Sequence, residues 1–237
     1  MPVCHHPIAR DTRCRVAALG WLLAMACAFV HAVPARAQPQ PQPTGAAAPT
    51  GAASAPGPSS SPDPKQRLAG AALLRALREG GLVIYFRHTA TDFSKNDVAM
   101  RDYEDCANQR LLSDKGRDDA RAIGRRIAQL KLPIGVVKAS PMCRTMEHAK
   151  LMLGMATPTS TMRERTEGGE YLGLKRLLSQ HVPPGIHRWM VGHGTPFRQV
   201  AGPPHLTEGE AAVIRPQGDS WVVIARLTPT DWATLGR

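Results

Sequence analysis

Leu82-Val83-Ile84-Tyr85-Phe86-Arg87-His88-Thr89, residues 82–89, runs five apolar residues straight into a guanidinium and an imidazole. The run has no polar alternation, so it fits a strand covered on both faces, the setting of a parallel sheet packed between helices. Before it, Ala69 to Arg78 carries helical spacing and is stopped by Gly80-Gly81. After it, Ser113 is placed to cap a helix running through Ala120, Ile123 and Ile127 to about Leu130, with Asp114 near its start. Val136 to Ala139 reads as the next strand and Arg144 to Leu153 as the helix after it. Leu172 to Leu178 reads as a helix and Trp189 to Val191 as a strand. Ala211 to Arg215 and Trp221 to Leu227 read as a closing pair around Pro216-Gln217-Gly218-Asp219. This alternation predicts an α/β fold, a three-layer α/β/α sandwich with a mostly parallel central sheet. Ligands of such sheets bind beyond the carboxyl ends of the strands, where Arg87-His88, Arg144 and His193 fall.

The ends of the chain set the compartment. Arg10, Arg13 and Arg15 precede an apolar run from Val16 to Val33, and Ala35-Arg36-Ala37 supplies small residues around a cleavage point. That order is a secretory signal peptide over residues 1–37, and it predicts a periplasmic or secreted protein with no stable membrane insertion after cleavage. A short membrane anchor is the competing reading of the same run. A lipoprotein site at Cys27 is another, although the Leu expected three residues earlier is absent. Residues 38–64 are almost entirely Gln, Pro, Ala, Gly, Ser and Thr and read as a flexible spacer, because they cannot bury enough apolar surface to order themselves. Residues 65–237 are enough for one domain with a sizeable core. Two of the five cysteines, Cys106 and Cys143, lie outside the leader, and in an exported protein they are expected to pair. Such a bridge stabilises by about 3 to 4 kcal/mol on the chain-entropy estimate. Residues 1–37 hold four arginines and one aspartate, so cleavage lowers the formal charge from +11 to +8. A basic balance suits acidic ligands or an anionic surface, but no basic stripe interleaves with aromatics, and no nucleic-acid partner is expected.

Two further segments share the format of residues 82–89: Ala139-Ser140-Pro141-Met142-Cys143-Arg144-Thr145 and Met190-Val191-Gly192-His193-Gly194. Brought to one sheet edge, two arginines and two histidines make a dianion pocket with a nucleophile in it. Arg87 and Arg144 would each grip phosphoryl oxygens with forked, charge-assisted bonds of about 1.5 to 3 kcal/mol. His88 would present a neutral ring nitrogen, its other nitrogen donating to a carbonyl or carboxylate that fixes the tautomer. His193 would donate to an equatorial oxygen as charge spreads, with the Gly194 amide and the Thr195 hydroxyl as further donors. His88, His148, His181, His187 and His193 show no standard zinc-ligand spacing, so no metal and no other cofactor is expected.

The ordered set of motifs resembles the histidine phosphatase superfamily, also called phosphoglycerate-mutase-like, from Leu82 to about Trp232. Arg87-His88-Thr89 is similar to the family's Arg-His-Gly signature, which implies that His88 is the phosphorylated histidine. Leu112-Ser113-x-x-Gly116-Arg117-x-x-Ala120 is similar to its first-helix motif. Ser140-Pro141-x-x-Arg144-Thr145-x-Glu147-x-Ala149 resembles the pattern that carries the second arginine, and His193-Gly194 the second histidine. Thr91 stands where the family often has a phosphate-contacting serine. Cys106-Ala107-Asn108-Gln109-Arg110 and Cys143 resemble an exported bacterial subgroup. Three positions depart from the family pattern. Thr89 replaces a glycine and would strain the pocket if that position demanded positive φ or close backbone approach. His148 replaces a threonine, and a helix-surface position is expected for it. The general acid has no single place, with Asp92, Glu164, Glu167 and Glu170 as candidates.

The resemblance implies a phosphoric monoester hydrolase of the histidine phosphatase type, acting on a small phosphorylated substrate through a phosphohistidine on His88. The alternatives are a non-catalytic anion-binding module of the same fold, and an envelope protein whose basic surface meets anionic lipid or polymer.

Overall fold

The computed structural model describes residues 59–237. The leader and residues 38–58 of the expected spacer lie outside the described residues. Helix α1 (Gly70–Glu79) buries Leu73 and Leu77, one turn apart on one face, and ends at Gly80 and Gly81, both at positive φ. The reversal leads directly into β1 (Leu82–Arg87), whose first five residues are fully buried.

The remaining elements are α2 (Asp114–Gln129), β2 (Val136–Ala139), α3 (Cys143–Leu153), β3 (Thr157–Pro158), α4 (Leu172–Ser179), β4 (His187–Gly192), α5 (Gly194–Ala201), β5 (Ala211–Gln217), β6 (Ser220–Leu227) and α6 (Pro229–Thr234). The sheet runs β3-β2-β4-β1-β5-β6. Its first four strands are parallel, and β5 and β6 are antiparallel to their neighbours. β1 therefore lies in the middle of the sheet with a partner on each side, the position its continuous apolar run predicts.

Helices cover both faces. Leu73 and Leu77 of α1, Ile123 and Ile127 of α2, Ala149 and Met152 of α3, and Trp232 of α6 pack on the face of β1 that carries Leu82, Ile84 and Phe86. Leu174 and Leu178 of α4 with Phe197 and Val200 of α5 pack on the face that carries Val83 and Tyr85. The architecture is the three-layer α/β sandwich the alternation implies.

Ser113 caps α2 by accepting from the Gly116 amide at 3.1 Å. Three elements were not read from the sequence: β3, α5 and α6. The α6 start carries a capping box, Thr228 with Asp231, and Pro229 in its first turn. Residues 59–64, the last of the stretch read as spacer, lie against the domain. Ser60 is buried and donates its amide to the Pro203 carbonyl at 3.1 Å, and the Asp63 amide donates to Val223 O of β6 at 2.9 Å. Among the described residues no helix is long and apolar enough to cross a membrane.

Candidate active site

β1 and β4 are neighbouring parallel strands in register from Leu82 opposite His187 to Arg87 opposite Gly192. The next residue of each is a histidine, so His88 and His193 leave the same sheet edge with ring centroids 5.6 Å apart. β2, on the other side of β4, ends at Ala139 opposite Val191. Ser140 follows it, and α3 starts within one turn, which brings Arg144 to the same edge.

His88 is buried, and its Nδ1 donates to the carbonyl of Thr89 at 3.0 Å. That bond fixes the tautomer and leaves Nε2 as the open nitrogen. Burial is the main cause of a pKa pushed down to about 3, with the charges of Arg144, Arg87 and Arg110 acting in the same direction. The ring is therefore neutral at ordinary pH.

His193 is buried too. Its Nε2 lies 2.8 Å from the Ser140 hydroxyl, and its backbone amide and carbonyl both bond the Tyr85 hydroxyl at 3.0 Å. Burial, then the charge of Arg144, holds its pKa well below the usual histidine value.

Both rings face a cavity of about 530 Å3. Of the seven residues read from the sequence as site residues, Arg87, His88, Arg144, His193, Gly194 and Thr195 line it. Thr91 does not. Its hydroxyl donates to Glu208 Oε1 at 2.9 Å, and its amide donates to the other carboxylate oxygen of the same residue at 3.3 Å.

The two arginines are oriented by partners on one edge. Arg87 Nη1 donates to the Leu206 carbonyl at 2.9 Å, and Nη2 is 3.5 Å from Glu208 Oε1. Arg144 Nη1 donates to Asp97 Oδ1 at 3.0 Å and to the Arg110 carbonyl at 3.2 Å, while its Nε is buried without a partner. Burial opposes the charge on Asp97, but the Arg110 amide and the Arg144 guanidinium outweigh it and hold the Asp97 pKa below its ordinary value.

Arg110, Arg163, Tyr171 and His205 also line the cavity, and the sequence reading gave none of them a role. Arg110 sits in the Cys106 to Arg110 segment already singled out, beside the motif that opens α2, so its position carried a signal. Arg163 and His205 sit in segments with no local motif.

Cys106 and Cys143 are joined, with Cα atoms 5.8 Å apart. The bridge ties the short 3-10 turn Cys106–Asn108 to the first turn of α3, so Arg110 and Arg144 are each one to four residues from a fixed point. The Gln109 side chain adds to the link, accepting from the Cys143 amide at 2.9 Å and donating to the Tyr103 carbonyl at 2.9 Å.

Of the departures, the condition for positive-φ strain at Thr89 is not met, and the expected helix-surface place of His148 is corrected. Thr89 is not among the residues with positive φ, so its β-branched side chain sits without the strain that conformation would impose. His148 is not on the helix surface: it is fully buried in α3, and its Nδ1 accepts from the Thr89 amide at 3.3 Å. The helix face it occupies points at the strand end of β1, where its ring meets Phe86 edge-on with centroids 5.5 Å apart. None of the proposed acids Asp92, Glu164, Glu167 and Glu170 is among the lining residues. Asp92 instead accepts from the Ser94 amide at 2.9 Å, and Glu170 pairs with Lys175 at 3.5 Å.

The sheet carries an arginine and histidine pocket at the carboxyl ends of its strands, an arrangement whose charge and donors suit a dianion. The family model described as the histidine phosphatase superfamily (branch 1) matches residues 83–202, about half of the chain, and the chain belongs to that superfamily. No curated protein matches it. Solved structures similar to it include the protein histidine phosphatase SixA complexed with tungstate, at 20% identity over 63% of this chain and 98% of that one, with a TM-score of 0.45. Another is TTHB049 of Thermus thermophilus, at 13% identity over 62% of this chain and 99% of that one, with a TM-score of 0.46. A third is the phosphoserine phosphatase of Entamoeba histolytica in complex with 3-phosphoglyceric acid, at 13% identity over 60% of this chain and 96% of that one, with a TM-score of 0.42. The family match, rather than these distant likenesses, carries the assignment to a superfamily of phosphatases.

Proposed function

We propose that this chain is an exported, metal-independent phosphatase that hydrolyses a phosphomonoester or another small phosphoryl compound through a phosphohistidine on His88. The observation that carries the reading is the state of His88. Its Nδ1 is committed to the Thr89 carbonyl, its ring is held neutral, and it lines a cavity together with Arg87, Arg110 and Arg144.

In the first step, His88 Nε2 forms a bond to phosphorus as the ester oxygen leaves. Arg87, Arg144 and Arg110 hold the phosphoryl oxygens and supply the positive charge that a cation supplies in other phosphatases. With the tautomer in which the Ser140 hydroxyl, 2.8 Å away, donates into His193 Nε2, the His193 Nδ1–H is left to donate to an equatorial oxygen; the amide of Gly194 and the hydroxyl of Thr195 add donors at the start of α5. In the second step, water attacks phosphorus, the nitrogen to phosphorus bond breaks, and inorganic phosphate departs.

With Asp92, Glu164, Glu167 and Glu170 outside the cavity lining, leaving groups that depart without taking a proton are favoured over alkyl alkoxides. The leader over residues 1–37, a spacer from residue 38 that ends before the packed residues 59–64, and a periplasmic or secreted location belong to the same proposal, and the Cys106 to Cys143 bridge supports export.

The test is phosphate release from p-nitrophenyl phosphate by wild type and His88→Ala, in the presence of chelator, with acid-labile phosphoprotein trapped by rapid quench. Chelator-resistant turnover that falls by roughly three orders of magnitude or more in His88→Ala is expected. Turnover retained by that variant would sink the mechanism. No turnover in wild type, with phosphate or vanadate still bound, would select the non-catalytic anion-binding module, a reading favoured by the Asp97 carboxylate on Arg144.

A further inference from the structure

Among the described residues no carboxylate lines the cavity, and the arginines that line it hold their protons at any working pH. His88 is the proposed nucleophile, and His193 Nε2 is met by the Ser140 hydroxyl at 2.8 Å. One imidazole in the wall is left without a task. His205 belongs to the connection between α5 and β5, and its half-buried ring lies beside the start of α5.

The ring is oriented by its own loop. Its Nδ1 lies 2.8 Å from the Leu206 carbonyl, which also accepts from Arg87 Nη1 at 2.9 Å. A carbonyl can only accept, so Nδ1 carries the proton, and in the uncharged ring the lone pair is on Nε2. Among the described residues Nε2 makes no hydrogen bond. Nδ1 is 3.4 Å from Arg87 Nη1, so a phosphoryl group gripped by Arg87 would have this ring beside it.

The surroundings hold the ring in place. A β-carbon at position 194 would fall 1.8 Å from His205 Cε1, and Gly194 has no positive φ, so the close approach of this ring is what the glycine admits. The His205 carbonyl accepts from Arg226 Nη2 at 3.0 Å, and Arg226 is clamped to both carboxylate oxygens of Glu210 at 2.6 and 2.7 Å. Two residues earlier, the Pro203 carbonyl accepts from the Ser60 amide at 3.1 Å. The side chain is thus presented to the cavity by a loop tied down through its backbone as well as its ring.

We propose that His205 is the general base of the second half-reaction. Water attacks phosphorus, the bond from phosphorus to His88 Nε2 breaks with its electron pair returning to that nitrogen, and the water proton passes to His205 Nε2. The imidazolium so formed gives its proton to solvent once phosphate has left. The proposal rests on the reading of His88 as the phosphorylated residue. It divides the labour: expulsion of the leaving group depends on the arginines, and breakdown of the phosphohistidine on His205.

The test is rapid mixing of p-nitrophenyl phosphate with the full chain as wild type, His205→Asn and His205→Gln, quenched in alkali, which preserves phosphohistidine. Asparagine keeps a donor near the place of Nδ1 for the Leu206 carbonyl, so Arg87 and the loop stay oriented while the base is gone. Release of nitrophenolate in the first turnover should stay within about threefold of wild type. Breakdown of the phosphohistidine should slow about a hundredfold or more in both variants, so that the phosphorylated chain accumulates. In wild type, deuterium oxide should slow that breakdown about twofold, because a proton moves as water attacks. Breakdown at the wild-type rate in both variants, or no solvent isotope effect on it, overturns the base. Equal slowing of the two steps overturns it too, and would make His205 a positioning residue for Arg87. If no phosphohistidine forms in wild type, the His88 reading fails and takes the base with it. That failure is distinguishable, because nitrophenolate and trapped phosphate are measured separately.

Discussion

Thr89 joins two buried histidines: its carbonyl accepts from His88 Nδ1, and its amide donates to His148 Nδ1. The His88 ring is therefore aimed by a backbone segment that His148 holds from behind. The sequence marked both residues as departures from a pattern, but it could not join them, because they are 59 residues apart and their contact depends on how α3 lies on the end of β1. His148→Ala leaves the Thr89 amide unpaired in a buried place and opens a cavity beside Phe86. The unpaired group alone costs about 1 to 3 kcal/mol. We expect lower stability in urea together with a fall in kcat larger than any change in KM, since the variant disturbs the aim of His88 rather than the anion grip. A stability loss with kcat unchanged would show that the Thr89 carbonyl needs no support from His148. The meeting of Arg87, His88, Arg144 and His193 at one cavity was legible because each lies at or next to a strand end or a helix start.

At the scale of elements, α2 and α3 were legible from their spacing, and the structure adds the reason for two small residues in α2. A β-carbon at Gly116 would collide with the Ala90 carbonyl, and one at Gly124 with the Met152 carbonyl of α3. The helix is thus set against backbone on two sides, and Arg117 fastens the crossing through Glu147 at 2.7 Å. Neither glycine has positive φ, so the constraint is the close approach and not the conformation. Gly116→Ala and Gly124→Ala should each destabilise by about 1 to 3 kcal/mol, the usual range for overpacking, even though alanine is the better helix former. Chemical denaturation reads this directly; a gain in stability for either variant would mean that the helix can shift without cost. Elements that escaped the sequence reading share a cause. β3 has two residues, and α5 begins Gly194-Thr195-Pro196, which reads locally as a loop and becomes a helix because Phe197 and Val200 fill the core under β1 and β4. The start of α6 was readable in principle, since Thr228-Pro229-Thr230-Asp231 is a capping sequence.

The whole molecule places its charge unevenly, and this is the part the sequence could not give. A net charge of +11 says nothing about location, whereas the folded chain brings Arg87, Arg110, Arg144 and Arg163 to one cavity from four separate segments. Histidine burial is a second collective property. His88, His148, His187 and His193 are all buried, and burial is the first cause of a lowered pKa in each, down to about 3 for His88 and for His148. The folded chain therefore keeps these rings neutral, while the unfolded chain protonates them near pH 6.5. Between those limits the unfolded state binds more protons, so stability is full above pH 6.5 and falls as the pH drops toward 3. His88 and His148, each held down to about 3, contribute up to about 2 kcal/mol of loss apiece between pH 6.5 and 5, and His187 and His193 act in the same direction. The lowered carboxylates Asp97, Asp105 and Glu210 act in the same direction, but only near and below their own ordinary values, close to pH 4. The histidine effect is thus separable: Tm should fall clearly from pH 7 to pH 5, before any carboxylate titrates. A Tm that stays level over that interval would mean the histidines accept protons without leaving the fold. If Tm falls as expected and His88 is the nucleophile proposed, the acid limb of activity comes from loss of the native state, because the His88 ring stays neutral down to about pH 3.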